Sequence, residues 1–445
     1  MVTAATFYTA GQHDGGGPWR DPGGPDAERI LPRTRFLAIV GGCHGIRPAA
    51  SWKRRGDVMI DNESTNFRLI GHDPSAAFGG GSLVEVRNGH AYVGAIGLDG
   101  AEGFTVHDVR DPRKPRKVWE FKAPPGIHMH KLRYVHEDLL YVNSERLPGD
   151  RGANSQGGFY IFDISVPHVP RQVGFVPMPG SGPHRFGVDN NRHLAFLPSD
   201  APGWDKRVIW TMDISNPLRP EVVSIWGLPW QRTEDGELGN DPVPASNVCT
   251  LHGPPMIRGD RMFAAFWGGG MAVIDCADLT DMKLVGHVNW SPPFVGCTHT
   301  AWPIGNRPYL VVTDEARGKQ NYWDSQFMWI VDIRDETKPT PVSTWFPERE
   351  KYFNRGGRFG AHNIVENIAE DGPWANIVFI TYFNAGLRAV DVSDPLRPKE
   401  VGCFVPGFAD GEKPVQSNDV GVDDRGLLYV IDRWGKGMHI VEYTG

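Results

Sequence analysis

Five histidines recur in matching surroundings along this chain, each opening an apolar, alternating run that leads into a tight turn. His130 opens "HKLRYV" before HED, His184 "HRFGVD" before NNR, His252 "HGPPMI" before RGD, and His299 "HTAWPI" before GNR. His362 opens "HNIVEN" ahead of a longer turn. Counted back from the turns of two further runs, the matching positions hold Asn418 and Gly81. With 16 histidines in 445 residues, five at seven matched positions call for a common cause. Neutral imidazoles converging on one small space are the donors that transition metals prefer, whereas five adjacent charged rings would repel one another. The chemistry implied is a histidine-ligated transition metal (iron, copper or zinc), with three or four rings bound and positions left open for substrate or oxygen. His128, two residues before His130, is an alternative or outer ligand. The plainer explanation is that duplication copied one structural histidine.

Carboxylates follow the next apolar run in several copies: Glu145 in "VNSE", Asp200 in "LPSD", and Asp314 with Glu315 in "VTDE". Glu145, Asp314 and Glu315 are the candidate catalytic residues. They could orient the outer nitrogens of the histidines or serve as general acid and base. Otherwise they are ordinary turn acids. Lys131, Arg185 and Asp419 flank the matched positions, and strand alternation predicts that they point away into the sheets. Trp204, Trp267, Trp302 and Tyr322 fall nearby and could wall an apolar pocket, although core packing is their commoner use.

The elements that position these residues repeat. Seven segments, among them "GFYIFDISVPHVP" and "GLRAVDVSDPLRP", combine alternating apolar residues with an acid at Asp108, Asp163, Asp213, Asp275, Asp332, Asp391 and Glu442. A pair of strands joined by a tight turn precedes each acid, and another short strand follows most of them. One unit is therefore four antiparallel strands. The pattern predicts an all-β chain, a seven-bladed β-propeller whose blades are four-stranded antiparallel sheets. The last unit stops after three strands, and the orphan segment "FRLIGHDPSAA", Phe67 to Ala77, supplies the fourth. An N-terminal strand then completes the last blade and closes the ring. The propeller spans 67–445, preceded by an arm and a face-packing segment, "RFLAIVGGCHG", within 1–66. The first strand of each blade lines the central channel, which brings the histidines to one mouth.

The phrase "AVDVSDPLRP" resembles the repeat of the LVIVD family, with its apolar run, Asp and polar-Pro turn. The resemblance covers about 67 to 445 and implies the propeller fold, but it says little about activity. "DCADLTDM" departs from it in lacking the proline. In site design alone, the histidine set is similar to that of carotenoid-cleaving oxygenases, which hold iron with four histidines on a seven-bladed propeller.

Composition narrows the partners. A net charge of −7 without a basic stripe argues against nucleic acid. No apolar run reaches the roughly 18 residues of a membrane span. The start of the chain lacks the pattern of a secretory leader. Five scattered cysteines, Cys43, Cys249, Cys276, Cys297 and Cys403, fit reduced thiols and a cytoplasmic location. Dinucleotide, P-loop, zincin and serine-hydrolase motifs are absent. The expectation is a metalloenzyme acting on a small organic molecule, aromatic ones included, with oxidoreductase or oxygenase chemistry favoured. A metal-dependent lyase or hydrolase, and a non-catalytic propeller binding a protein partner, are the alternatives. The insertion "GLPWQRTEDGELGNDPVPASNVCT" is expected to cover part of the mouth. Substrate, metal identity and oligomeric state stay open at this level.

Overall fold

The computed structural model describes residues 59–60, 62–96, 102–136, 138–147, 155–234, 237–238, 249–294, 296–316, 326–366, 368, 371–409 and 412–445. The expected arm, the segment "RFLAIVGGCHG", Tyr322 and most of the insertion after Glu234 lie outside the described residues. Among the described residues no helix is long and apolar enough to cross a membrane.

Each blade reads outward from the channel as consecutive antiparallel strands. Blade 1 is Gly81–Arg87, His90–Ala95, Gly103–Asp108 and Arg116–Lys122. Blade 2 has a divided inner strand, Ile127–His128 and Leu132–Val135, followed by Leu139–Arg146, Gly158–Asp163 and Arg171–Pro177. Blade 3 is Gly187–Asp189, Leu194–Asp200, Arg207–Asp213 and Glu221–Trp226. Blade 4 also divides its inner strand, as Thr250–Leu251 and Met256–Arg258, before Arg261–Trp267, Gly270–Asp275 and Lys283–Val288. Blade 5 is Thr298–Pro303, Tyr309–Asp314, Met328–Asp332 and Thr340–Trp345.

Blades 6 and 7 share the N-terminal segment. Blade 6 contains Ile377–Thr381, Leu387–Asp391 and Lys399–Val405, with Glu63–Thr65 added outside. Its innermost run is reduced to a bridge between Ile364 and Ile380. Blade 7 contains Ser417–Val422, Leu427–Asp432 and Met438–Tyr443, and its fourth strand is Phe67–Asp73, paired antiparallel to Met438–Tyr443. The ring closes as the orphan segment predicts.

The repeated acids have a local cause. Asp108, Asp163, Asp213, Asp275, Asp332 and Asp391 end third strands, and each accepts the backbone N–H two residues on at 2.7–3.2 Å. These Asx-turns stop the strand and start the reversal. Glu442, in the third strand of blade 7, pairs with Arg68 on the added strand. The fourth strands share a bulge as well. One extra residue interrupts the ladder to the third strand at Val118, Val173, Val223, Val285, Val342, Val401 and, on the N-terminal strand, Ile70. The added strand thus repeats the geometry of the six that are made in sequence.

There is no single core. Seven apolar clusters occupy the seven interfaces between neighbouring blades. Between blades 1 and 2, for example, Tyr92, Phe104 and Val106 meet Leu132, Leu140 and Phe162. At roughly 1.5–3 kcal/mol for each large side chain fully buried, the faces stabilise the ring only if every blade has a neighbour on both sides.

The closing strand is tied to blade 1 by a buried chain of hydrogen bonds. Ala77 N–H donates to Thr105 Oγ1 at 2.9 Å, Thr105 and His107 Nε2 lie 2.8 Å apart, and His107 Nδ1 meets Asp73 Oδ2 at 2.7 Å. Burial alone would raise the Asp73 carboxyl, but hydrogen bonds from His107 and Ser75 outweigh it and hold the group at about 2, below its ordinary 3.8. A carboxyl held low stabilises the fold above its unfolded value and loses that contribution as pH falls from about 4 to about 2. Asp73→Asn is expected to lower the unfolding midpoint at neutral pH. Its deficit should shrink as acid protonates the parent; a deficit that stays constant down to pH 2 counts against the linkage. Gly71 abuts the next blade, since a Cβ there would lie 1.9 Å from the Pro112 carbonyl oxygen. Gly71→Ala should therefore cost about 1–3 kcal/mol in denaturant unfolding, the usual range for overpacking.

Candidate metal centre

The inner strands are the edges of radial sheets, and near one mouth they are irregular. In blade 5 the ladder skips His299 between Thr298 and Thr300. In blade 7 it skips Asn418 between Ser417 and Asp419. In blade 2, Met129 to Lys131 stand opposite only Asn143 and Ser144. A bulge re-aims the side chain it carries, and here the bulged side chains turn into the channel. Blade 1 bulges between Gly81 and Val84, so Ser82 and Leu83, not Gly81, reach the mouth.

The five matched histidines form a continuous arc. Ring centroids step 4.3 Å from His130 to His184, 4.5 Å to His252, 4.7 Å to His299 and 4.5 Å to His362. His128 stacks on His130 at 4.2 Å, and Trp267 stacks on His252 at 4.0 Å. These residues line a cavity of about 150 Å³, together with Arg185, Glu315, Arg358, Asn418 and Arg433. Asn418 and Ser82 complete the circle where histidine is missing.

Two of the three candidate carboxylates join the arc. Glu145 Oε2 lies 2.8 Å from His184 Nδ1 and 3.3 Å from His128 Nδ1, while its Oε1 accepts from Arg207 Nη1 at 3.0 Å. Burial opposes its charge, yet His184, His128 and Arg207 together hold the carboxyl well below its ordinary range. Glu315 lies 3.6 Å from His252 Nε2 and 3.7 Å from His362 Nε2, and accepts from Arg358 Nη1 at 2.9 Å. Asp314 does not join them. Adjacent strand residues face opposite ways, so with Glu315 toward the mouth Asp314 turns into the packing between blades 4 and 5. There Trp329 and Trp290 donate to it at 2.7 and 2.8 Å and Thr298 at 3.1 Å. Burial pushes its carboxyl up to about 7 in spite of those donors. Asp200, at the end of its strand, accepts from Ser181 N–H at 2.9 Å and so ties down the connection from blade 2.

The rings are neutral. Burial first, then neighbouring histidines and arginines, drives His130, His252, His299 and His362 well below the usual imidazole range; burial also brings His184 to about 4, against the pull of Glu145. His362 Nδ1 donates to the Asn418 carbonyl at 2.6 Å, which leaves its Nε2 as a lone pair. Three buried nitrogens in the arc, His128 Nε2, His130 Nε2 and His252 Nδ1, have no hydrogen-bond partner. A buried unsatisfied polar atom costs about 1–3 kcal/mol, so three in one cavity fit the donor set of a transition metal.

Strand alternation misplaces Lys131, Arg185 and Asp419. An inner strand sits at the axis, where side chains from both faces of a radial sheet meet the lumen. Arg185 Nη1 lies 3.0 Å from both ring nitrogens of His299, and its Nη2 donates to Glu366 at 2.9 Å. Lys131 donates to the same carboxylate at 3.0 Å, and Arg133 pairs with it too. Asp419 accepts from Val84 N–H at 2.8 Å. This ion-paired layer separates the histidine cavity from a vestibule of about 520 Å³ at the other mouth. Trp302 lines that vestibule, and Trp204 packs on Arg232, so of the three described aromatics named from sequence only Trp267 walls the histidine cavity.

Asn143 escapes a reading based on titratable residues. It is fully buried, and its Oδ1 accepts from His130 N–H at 2.9 Å and Lys131 N–H at 2.8 Å. Its Nδ2 donates to the carbonyls of Pro183 at 3.2 Å and His184 at 3.1 Å. One side chain thus holds the bulge of blade 2 and the entry to blade 3. Its sequence signal is its place two residues before Glu145.

The fold and this centre define a seven-bladed β-propeller with a histidine-lined chamber at one mouth. The LVIVD repeat model matches residues 256–289 and 375–405, so the chain carries LVIVD repeats, in blades 4 and 6. Solved structures of similar fold include a protein from Lactobacillus plantarum, 13% identical with a TM-score of 0.56, covering 77% of this chain and 88% of that one. The periplasmic gluconolactonase PpgL of Pseudomonas aeruginosa is 12% identical with a TM-score of 0.56, covering 85% and 92%. U3-55K is 10% identical with a TM-score of 0.53, covering 84% and 98%. At these identities the likeness is one of fold. No curated protein matches the sequence.

Asn143→Ala should leave the His130 and Lys131 amides unpaired in the interior. About 2–3 kcal/mol of stability is expected to be lost, from the cost of buried unpaired donors. A metal held by the arc would then bind about 10-fold or more weakly, as when residues that hold ligands in place are lost. Calorimetry and competition against a chelating dye measure the two effects separately.

Proposed function

We propose that this protein is a metal-dependent enzyme of the oxidoreductase type, acting on a small organic molecule at the histidine-lined mouth. The observation that carries this reading is the trio of buried imidazole nitrogens without partners, set in an arc of neutral rings. His130, His184, His252, His299 and His362, with His128, Glu145 and Glu315, are the residues that would hold the metal. When bound, an iron or copper ion there supplies redox chemistry at open positions of its shell.

The chain's own residues do the rest. A chamber of about 150 Å³ admits only a small substrate. Trp267 offers a flat apolar wall, and the arginines in the lining, Arg185, Arg358 and Arg433, favour a polar or anionic group on the substrate. Glu145 takes up Nδ1–H of His184 and His128, which fixes the tautomer that presents Nε2. Glu315 stands where it could pass a proton to or from a substrate.

A second reading has specific support. Two histidines with one carboxylate also make a catalytic zinc site, and two stretches of the arc offer that set. A Lewis-acid lyase or hydrolase would use the same residues, and a similar fold is found in a gluconolactonase. Elemental analysis of protein purified without a tag or chelating column decides between them. Iron or copper near stoichiometry is expected, and zinc in its place favours the second reading. Less than about 0.2 equivalents of any transition metal, with stability unchanged by chelator, leaves a non-catalytic binding propeller.

A further inference from the structure

We infer that the arc holds two metal ions rather than one, an inference that rests on the metal-dependent reading above. The five rings advance in four steps of 4.3–4.7 Å; carried round seven blades, that step corresponds to a circle of radius about 5 Å and puts inward-facing imidazole nitrogens about 4 Å from the axis, roughly twice a metal–nitrogen bond. An ion on the axis therefore reaches none of them. An ion must sit off the axis, beside two or three neighbouring rings.

The arc offers two such places. His128, His130 and Glu145 form one group, and His252, His299 and Glu315 form another; within each, the candidate ligand atoms lie within 4.8 Å of one another. The halves are built alike. Each carboxylate ends or follows the second strand of its blade, blade 2 or blade 5. In each, Oε1 is held by an arginine, Arg207 at 3.0 Å or Arg358 at 2.9 Å. In each, Oε2 faces imidazole, His128 Nδ1 at 3.3 Å or His252 Nε2 at 3.6 Å. Each half also buries imidazole nitrogen with no partner: His128 Nε2 and His130 Nε2 in one, His252 Nδ1 in the other. His184 stands between them, its ring 4.3 Å from His130 and 4.5 Å from His252.

The two places are not equivalent. Arg185 Nη1 lies against both nitrogens of His299, so a cation enters that group only as the guanidinium withdraws toward Glu366. Among the described residues no guanidinium or ammonium lies against the rings of His128 and His130 as Arg185 lies against His299. The group of His128, His130 and Glu145 fills first, and the group of His252, His299 and Glu315 follows at higher metal concentration.

Cobalt(II) titration of metal-stripped full-length protein tests this, with visible absorption and bound cobalt read together. Two equivalents binding in two resolved stages are expected, and anomalous scattering from the loaded crystal should give two peaks. Glu145→Gln should remove the first stage and keep the second, and Glu315→Gln the reverse. Saturation at one equivalent with one peak overturns the two-ion inference and leaves the metal-dependent reading standing. Either variant abolishing all binding while its melting curve stays cooperative likewise shows a single site. No bound cobalt, with no transition metal in the protein as purified, overturns both. The stoichiometry of the unaltered chain decides the matter even if a variant fails to fold.

Discussion

Every blade of this protein is apolar on both faces, and that constraint governs the rest of the structure. A sheet with two sticky faces must be covered twice, and repeating it around an axis covers each face with the next blade. The arrangement is self-consistent only when the circle is complete. The seven interface clusters are therefore coupled through closure: the cluster between blades 7 and 1 includes Ala76 and Ala77, just past the N-terminal strand, beside Tyr429, Ile431 and Val93. The hydrogen-bonded run from Ala77 through Thr105 and His107 to Asp73 fastens that join with polar groups deep enough to be sheltered from water.

Closure also creates the chamber. A radial sheet ends at the axis with a free edge, and seven such edges facing one another leave a narrow lumen whose contents are dictated by the inner strands. Bulges at His130, His299 and Asn418 turn side chains into that lumen without disturbing the ladders farther out. Asn143 and the Asn418–Ser82 contact then stitch one inner strand to the next. The imidazoles remain neutral because the same closure removes them from water, and His128, His130 and His252 each keep one nitrogen without a partner. Packing, in this sense, sets the protonation state on which any metal chemistry would rest.

Much of this architecture is legible in the sequence because each unit repeats its local chemistry. An Asx-turn demands a short side-chain acceptor at the strand end, so Asp recurs at 108, 163, 213, 275, 332 and 391 and can be counted. Histidines at matched distances from their turns mark the channel mouth for the same reason. Directions are less legible than positions. Alternation sends Glu315 toward the mouth and Asp314 into the blades, but nothing local says which of the two neighbours goes where. Arg185 and Lys131 reach the lumen because of where a radial sheet ends, a fact of the assembled ring that no single strand encodes. The recurrent valine in the fourth strands marks a bulge, yet its meaning emerges only when Ile70 is seen in the same role on a strand from the other end of the chain.

That last strand has a consequence for how the molecule is made. Phe67–Asp73 leaves the ribosome ahead of the strands of blades 1 to 6, and its pairing partner, Met438–Tyr443, leaves after them. During synthesis the early strand must wait, unpaired, while six blades accumulate behind it. The most sequence-distant contact in the domain is thus also its final one, and a slow, topology-limited step is built into folding. Until it occurs the growing stack has an open apolar flank at each end, the state in which such a chain is most exposed to aggregation.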